Sequence, residues 1–277
     1  MSQADLKTLS DQAWSYADRG ELLEAQNLFS QIVALDATDA ESWMMLGSIS
    51  GELGEIESAI TYLLKAVEAD SSYADPYLNL AKIRLTQGRQ EEALACCEKA
   101  VELDSEYVEA WSLLGMVSSK LGQHEKAEKA SRKTIALSPK DIQAHIALGN
   151  TMIAQSKLEE ASLTYRKAVE LDAGLTNVWL ALGGIYGRLE RYRDAKECFG
   201  AAILLDKKNT ETRLYYGQAL LELGEYDEAR EALEAVLEMN SELRDAHIML
   251  GKLAQVKSEW IMGQLAANGI QLKIGPS

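Results

Sequence analysis

The sequence is poor in the residues that anchor most enzymes and secreted domains. It has three cysteines in 277 residues, two of them adjacent at Cys96 and Cys97, and so carries no disulfide framework. They fit a reducing compartment, where a free cysteine packs as a small hydrophobe. The three histidines, His124, His145 and His247, form no recognisable metal-ligand motif. Prolines number 3 and phenylalanines 2, against abundant Ala, Leu and Glu, which points to helix throughout. No apolar run approaches the roughly 18 residues of a membrane span, and the opening MSQADLKTLSDQAW lacks the apolar centre of a secretory signal. The expected location is the cytoplasm. Positive charge is also short: 28 Lys and Arg against 43 Asp and Glu give a net charge of −15. Nucleic acid is a poor partner for such a chain, because phosphates are neutralised by clustered Lys and Arg. A basic protein segment suits it better, a merely solvated acidic surface being the plain alternative.

What is present is a repeat. Ala25, Ala59, Ala93, Ala127, Ala161, Ala195 and Ala229 stand 34 residues apart (59 − 25 = 34). Twelve residues before each lies another small residue: Ala13, Gly47, Ala81, Gly115, Gly149, Gly183 and Gly217, with Gly251 continuing the series. Glycine inside a helix costs about 1 kcal/mol against alanine, so these places imply close approach of two helices. A third series, Gly20, Gly54, Gly88, Gly122, Ser156, Glu190 and Gly224, suits a left-handed residue ending the first helix. A fourth, Asp36, Asp70, Asp104, Ser138, Asp172, Asp206 and Asn240, suits side chains that turn the backbone by accepting from nearby N–H groups.

The units are therefore 6–39, 40–73, 74–107, 108–141, 142–175, 176–209 and 210–243, preceded by a helix start over 1–5 that Ser2 is placed to cap. A further first helix over 244–256 leads into a short, degraded last helix ending at Asn268-Gly269, and 270–277 form a tail that is either a frayed end or the threshold of another domain. The most complete unit holds Trp179, Leu182, Gly183 and Tyr186 and then Ala195 and Phe199. Period and spacing together resemble the tetratricopeptide repeat family over 6–256. The resemblance implies an all-α, right-handed superhelical solenoid of seven hairpins with a C-terminal capping helix, and a concave groove lined by the first helix of each unit. Departures are local: His145, Arg213 and His247 stand where Trp43, Trp111 and Trp179 stand, and Thr134 and Val236 replace Ala66, Ala100, Ala168 and Ala202.

No acid, base or nucleophile set appears, and no cofactor or metal is expected. Cys96, Cys97 and Cys198 read as core, and Gly183-Gly184-x-x-Gly187 lacks the strand and lysine of a phosphate loop. The groove places of the family fall here on Met44, Met45, Leu78, Asn79, Lys82, Leu113, Met116, Ile146, Asn150, Ile153, Leu180, Gly184, Gly187, Tyr215, Gln218 and Met249. They form one stripe of each first helix. About half of the apolar members are expected to pack between units instead. Asn79 and Asn150 suit the backbone of an extended peptide. Some family members grip a C-terminal carboxylate with Lys, Asn and Arg, but the matching places carry Ser10, Trp14, Met45, Asp75 and Asn79, so no such clamp is expected. Glu41, Asp75, Glu109, Glu211 and Asp245 make an acidic line, explained either by the helix dipole or by a basic partner. Gly184 and Gly187 suggest a depression walled by Ile153, Leu180 and Tyr215, with close passage of a neighbouring backbone as the alternative.

These features favour a non-catalytic scaffold or adaptor that holds a peptide or helix of another protein. Two other readings stand beside it. One is an N-terminal arm that recruits substrate for a bacterial sulfotransferase, methyltransferase or glycosyltransferase domain. The other is self-association through the apolar ends.

Overall fold

The computed structural model describes residues 3–267 and contains fifteen α-helices. The first helices of the repeats are α1 (Gln3–Asp18), α3 (Ala40–Glu52), α5 (Asp75–Thr86), α7 (Val108–Lys120), α9 (Ile142–Ala154), α11 (Thr176–Arg188) and α13 (Thr210–Leu223). The second helices are α2 (Leu22–Leu35), α4 (Ile56–Ala69), α6 (Gln90–Leu103), α8 (His124–Leu137), α10 (Leu158–Leu171), α12 (Tyr192–Leu205) and α14 (Tyr226–Met239). The last helix is α15 (Arg244–Ala267). The chain divides into two compact units whose border falls inside α9, after Ala147. No described helix is long and apolar enough to cross a membrane.

The sequence accounts for each hairpin turn. All seven residues of the third series have positive φ, from +59° to +81°, and the next N–H bonds to a carbonyl five residues back, as Arg191 N–H does to Tyr186 at 2.9 Å. That left-handed exit satisfies carbonyls a helix end would otherwise strand. Glycine enters it freely; Ser156 and Glu190 do so against the steric preference of an L side chain. The fourth series closes the other turn. Asp36, Asp70, Asp104, Asp172, Asp206 and Asn240 accept through Oδ1 from the N–H two residues on, at 2.8–3.3 Å.

Close packing accounts for the glycines of the second series, at the eighth place of each unit, within the seven hairpins; at Gly251, on α15, a Cβ would meet nothing within 4 Å. A Cβ on Gly47 would sit 2.5 Å from Leu63, one on Gly149 2.6 Å from Tyr165, and one on Gly183 2.5 Å from Phe199. Each facing side chain comes from the second helix of the same hairpin and is buried. The alanine series is fully buried beside it, from Ala25 to Ala229.

The Trp place performs one task with three chemistries. The indole N–H groups of Trp43, Trp111 and Trp179 donate to the carbonyls of Ala37, Ser105 and Ala173 at 2.9–3.0 Å. His145 Nε2 reaches the Pro139 carbonyl at 3.0 Å, His247 Nε2 that of Ser241 at 2.8 Å, and Arg213 Nη2 that of Lys207 at 3.1 Å. A carbonyl only accepts, so each His carries its proton on Nε2. In these six repeats a side-chain N–H aimed six residues back pins the loop between repeats, and Trp, His and Arg all supply one; Leu9 and Tyr77, at the same place in the other two, have none.

One element differs from the expectation. The first helix over 244–256 and the separate short helix after it are a single helix, α15, 24 residues long. No glycine or proline stands at 256–258 to stop it, and straight-chain residues propagate helix. Ser2, Asn268-Gly269 and the tail lie outside the described residues.

Candidate functional site

The first-helix stripe separates by place once burial is known. In the N-terminal unit, Leu78 is 1% exposed and Met44 9%. Both belong to the packing between hairpins and leave the set of groove residues, because on α3 and α5 the fifth place turns toward a neighbouring helix. Met45 and Leu113 are half-buried against the same cores, and Ile146 is half-buried. Met116 stands out at 42% exposed. Asn79 Nδ2 lies 3.6 Å from Met44 Sδ, which leaves its carbonyl oxygen for another donor. Lys82 is already paired with Glu109 at 2.7 Å.

In the C-terminal unit, Asn150 accepts from the Tyr165 hydroxyl, which leaves its NH2 group and the second lone pair of its oxygen for a ligand. Ile153, Leu180 and Met249 are half-buried, while Gly184, Gln218 and Tyr215 are exposed. Tyr215 is fixed by stacking on Phe199, with centroids 5.8 Å apart and planes 28° from parallel. Partial burial and then Glu211 raise its hydroxyl pKa.

A cavity of about 380 Å³ opens beside Gly184 and Gly187, lined also by Arg188, Tyr192, Phe199, Tyr215 and Gln218. A Cβ on either glycine would meet nothing within 4 Å. The glycines therefore make space, and the alternative of a closely passing backbone does not hold. Tyr215 is a wall, but Ile153 and Leu180 are not among the lining residues. The cavity lies on the side of α11 that meets α12 and α13, whereas Ile153 sits on α9. Sequence reasoning missed a second cavity of about 290 Å³ in the N-terminal unit, lined by Ser48, Gly51, Ile56, Asn79 and Lys82 among others. Its signal was present: Gly51 occupies the same twelfth place as Gly187, where other repeats carry Leu85, Ile153 and Leu221.

The acidic line divides as well. Glu109 is neutralised by Lys82. Asp75, with Glu41 and Asp39, adds to burial in pushing the Tyr73 hydroxyl far above its usual pKa, and Asp75 acts likewise on Tyr107. Both phenols therefore stay neutral. Cys97 and Cys198 are core and Cys96 is half-buried against it; burial pushes the Cys97 and Cys198 thiols up to about 12, so neither is a thiolate near neutral pH. Among the described residues no group of three or more His, Cys, Asp or Glu is placed to hold a metal ion.

Family models described as tetratricopeptide repeats match residues 40–73, 74–107 and 142–174, then 96–129, and then 188–254. No curated protein matches the chain. Among solved structures, YrrB, described as a TPR protein with an unusual peptide-binding site, is 24% identical, with 66% of this chain and 95% of that chain covered and a TM-score of 0.62. MamA is 26% identical, with 58% of this chain and 94% of that chain covered and a TM-score of 0.53. The C-terminal part of a TPR repeat-containing protein from Cytophaga hutchinsonii is 16% identical, with 87% and 98% covered and a TM-score of 0.70. Repeat matches over more than half of the residues, on helices that pair with a 34-residue period, make this chain a member of the tetratricopeptide repeat family.

Proposed function

We propose that the chain is a non-catalytic scaffold that binds a peptide or helix of a partner protein against the first helices of its hairpins. The observation that carries this reading is that a cavity opens on the first-helix face of each unit, at Gly51 and at Gly187, the latter walled by Tyr215, while Met116 is exposed on the first helix α7. Concave, partly apolar sites with a few polar groups are where ligands bind, and exposed apolar strips mark partner contact. The second helices also expose leucines, Leu204 at 76% and Leu163 at 57%, but these belong to different hairpins and line neither cavity. YrrB, alike in fold, is described as having a peptide-binding site. The partner is basic and apolar, since carboxylates at Glu41, Asp75, Glu211 and Asp245 border the face of a chain with net charge −15.

An affinity pull-down comparing the intact protein with the Met116→Glu, Tyr215→Glu double variant tests this. A partner lost only from the variant supports it. Equal recovery by both proteins moves binding to the second helices or the ends.

A further inference from the structure

Glycine at the twelfth place of a first helix disfavours the helix, yet the chain places one in α3, Gly51, and one in α11, Gly187, 136 residues apart (187 − 51 = 136). Both adjoin a cavity, and the cavities are built from matching places: Ser48 and Gly184, Glu52 and Arg188, Ile56 and Tyr192, Asn79 and Tyr215, Lys82 and Gln218. Backbone geometry makes the space, and the wall residues decide what enters it. In the C-terminal unit those residues are aromatic and cationic.

We propose that the Gly187 cavity takes one aromatic side chain of a partner segment that carries lysine or arginine on its flanks. This rests on the first-helix face being the binding face. The cavity, about 380 Å³, lies near the lower end of the roughly 300–1,000 Å³ range of ligand pockets, a scale that admits one large side chain and excludes a whole helix. Tyr215 is 38% exposed and is held in place by Phe199, so it offers a fixed ring for offset stacking. Gly184 and Gly187 leave bare backbone on which a flat ring can lie. Arg188 is exposed in the lining and its planar guanidinium suits the face of a bound ring. An aliphatic side chain would gain burial but neither of these contacts. Glu211 and Asp245 act on the Tyr215 hydroxyl, which places two carboxylates where the flanking cations of the partner would meet them. The exposed Gln218 amide is free to pair with partner backbone.

The test uses the full chain labelled with ¹⁵N-glycine and two probes, N-acetyl-tryptophanamide and N-acetyl-leucinamide. The tryptophan probe is expected to shift the Gly184 and Gly187 amide resonances saturably, with less than a third of that shift from the leucine probe. A Lys-Ala-Trp-Ala-Lys peptide is expected to bind at least tenfold tighter than its Lys-Ala-Ala-Ala-Lys counterpart by competition anisotropy. That gain should disappear in Gly187→Leu, whose Cβ enters open space and whose side chain takes up cavity volume, with the helical circular dichroism of the parent retained. Unmoved Gly184 and Gly187 resonances, equal response to both probes, or a tenfold gain that survives Gly187→Leu each overturn the proposal. If the alanine peptide binds and tryptophan adds nothing, the binding face stands and the aromatic occupant falls. A Met116→Glu, Tyr215→Glu variant that still recovers its partner removes the face itself.

Discussion

Gly183 and Gly187 lie one turn apart on α11, and the structure predicts opposite responses to the same substitution. Alanine at either gains about 1 kcal/mol of helix propensity. At Gly187 nothing opposes the gain, because the new methyl meets open space. At Gly183 it would lie 2.5, 2.7 and 2.9 Å from three atoms of the Phe199 ring. That ring is 4% exposed and stacked on Tyr215, so it cannot swing aside. Overpacking of this kind costs about 1–3 kcal/mol, and the net effect runs from neutral to about 2 kcal/mol destabilising. The two variants should therefore differ by about 1–3 kcal/mol in urea unfolding followed by circular dichroism. At about 2–4 °C per kcal/mol for chains of this size, their Tm values should separate by several degrees. Removing the ring gives the control: in a Phe199→Ala background, Gly183→Ala should become stabilising, a coupling that a double-mutant cycle measures. Equal stabilisation by Gly183→Ala and Gly187→Ala in the parent would refute the claim that the eighth-place glycines exist for contact with the second helix.

Other expectations follow from the turns and the core. Glu190→Gly relieves a left-handed residue at φ +59° and should stabilise by up to about 1 kcal/mol, read by the same unfolding assay, whereas Gly88→Ala should destabilise by a similar amount. Hydrogen bonds from Thr38 and Ser72 hold the Asp36 and Asp70 carboxyls below their ordinary pKa. Their contribution is thus complete above about pH 4 and is lost as pH falls through the lower folded-state values. An Asp36→Asn, Asp70→Asn variant, which copies the native Asn240 turn, should show a shallower loss of stability below about pH 4 in acid titrations. Cys97 and Cys198 should not react with a disulfide reagent at about pH 8 in the native protein and should both react in urea; native labelling would show that these helices open.

Most of the fold could be read from the residues because its causes are local. A left-handed exit, an Asx turn and a small residue opposite a large one each occupy a fixed place, and seven copies average out the departures. His145, Arg213 and His247 looked like departures because residue type hides what they share, a side-chain N–H at one height on the helix. The site was less legible. Helical spacing puts Leu78, Asn79 and Lys82 close together on α5, but whether a side chain points at a neighbouring helix or at solvent depends on how hairpins pack. That removed Leu78 and Met44 from the exposed face. The depression at Gly187 was visible as a deficit of side chain, and of its three expected walls Tyr215 holds while Ile153 and Leu180 do not, because the glycines leave open the side toward α13 rather than α9.

The central claim, that a partner lies against the first helices, is tested most directly by site-specific photocrosslinking. A benzophenone amino acid would be placed at Gln218, on the first-helix face beside the Gly187 cavity, or at Leu204, exposed on the second helix α12. A crosslinked partner from the Gln218 position, absent from the Leu204 position, is the predicted result. Adducts from Leu204 with none from Gln218 would contradict it.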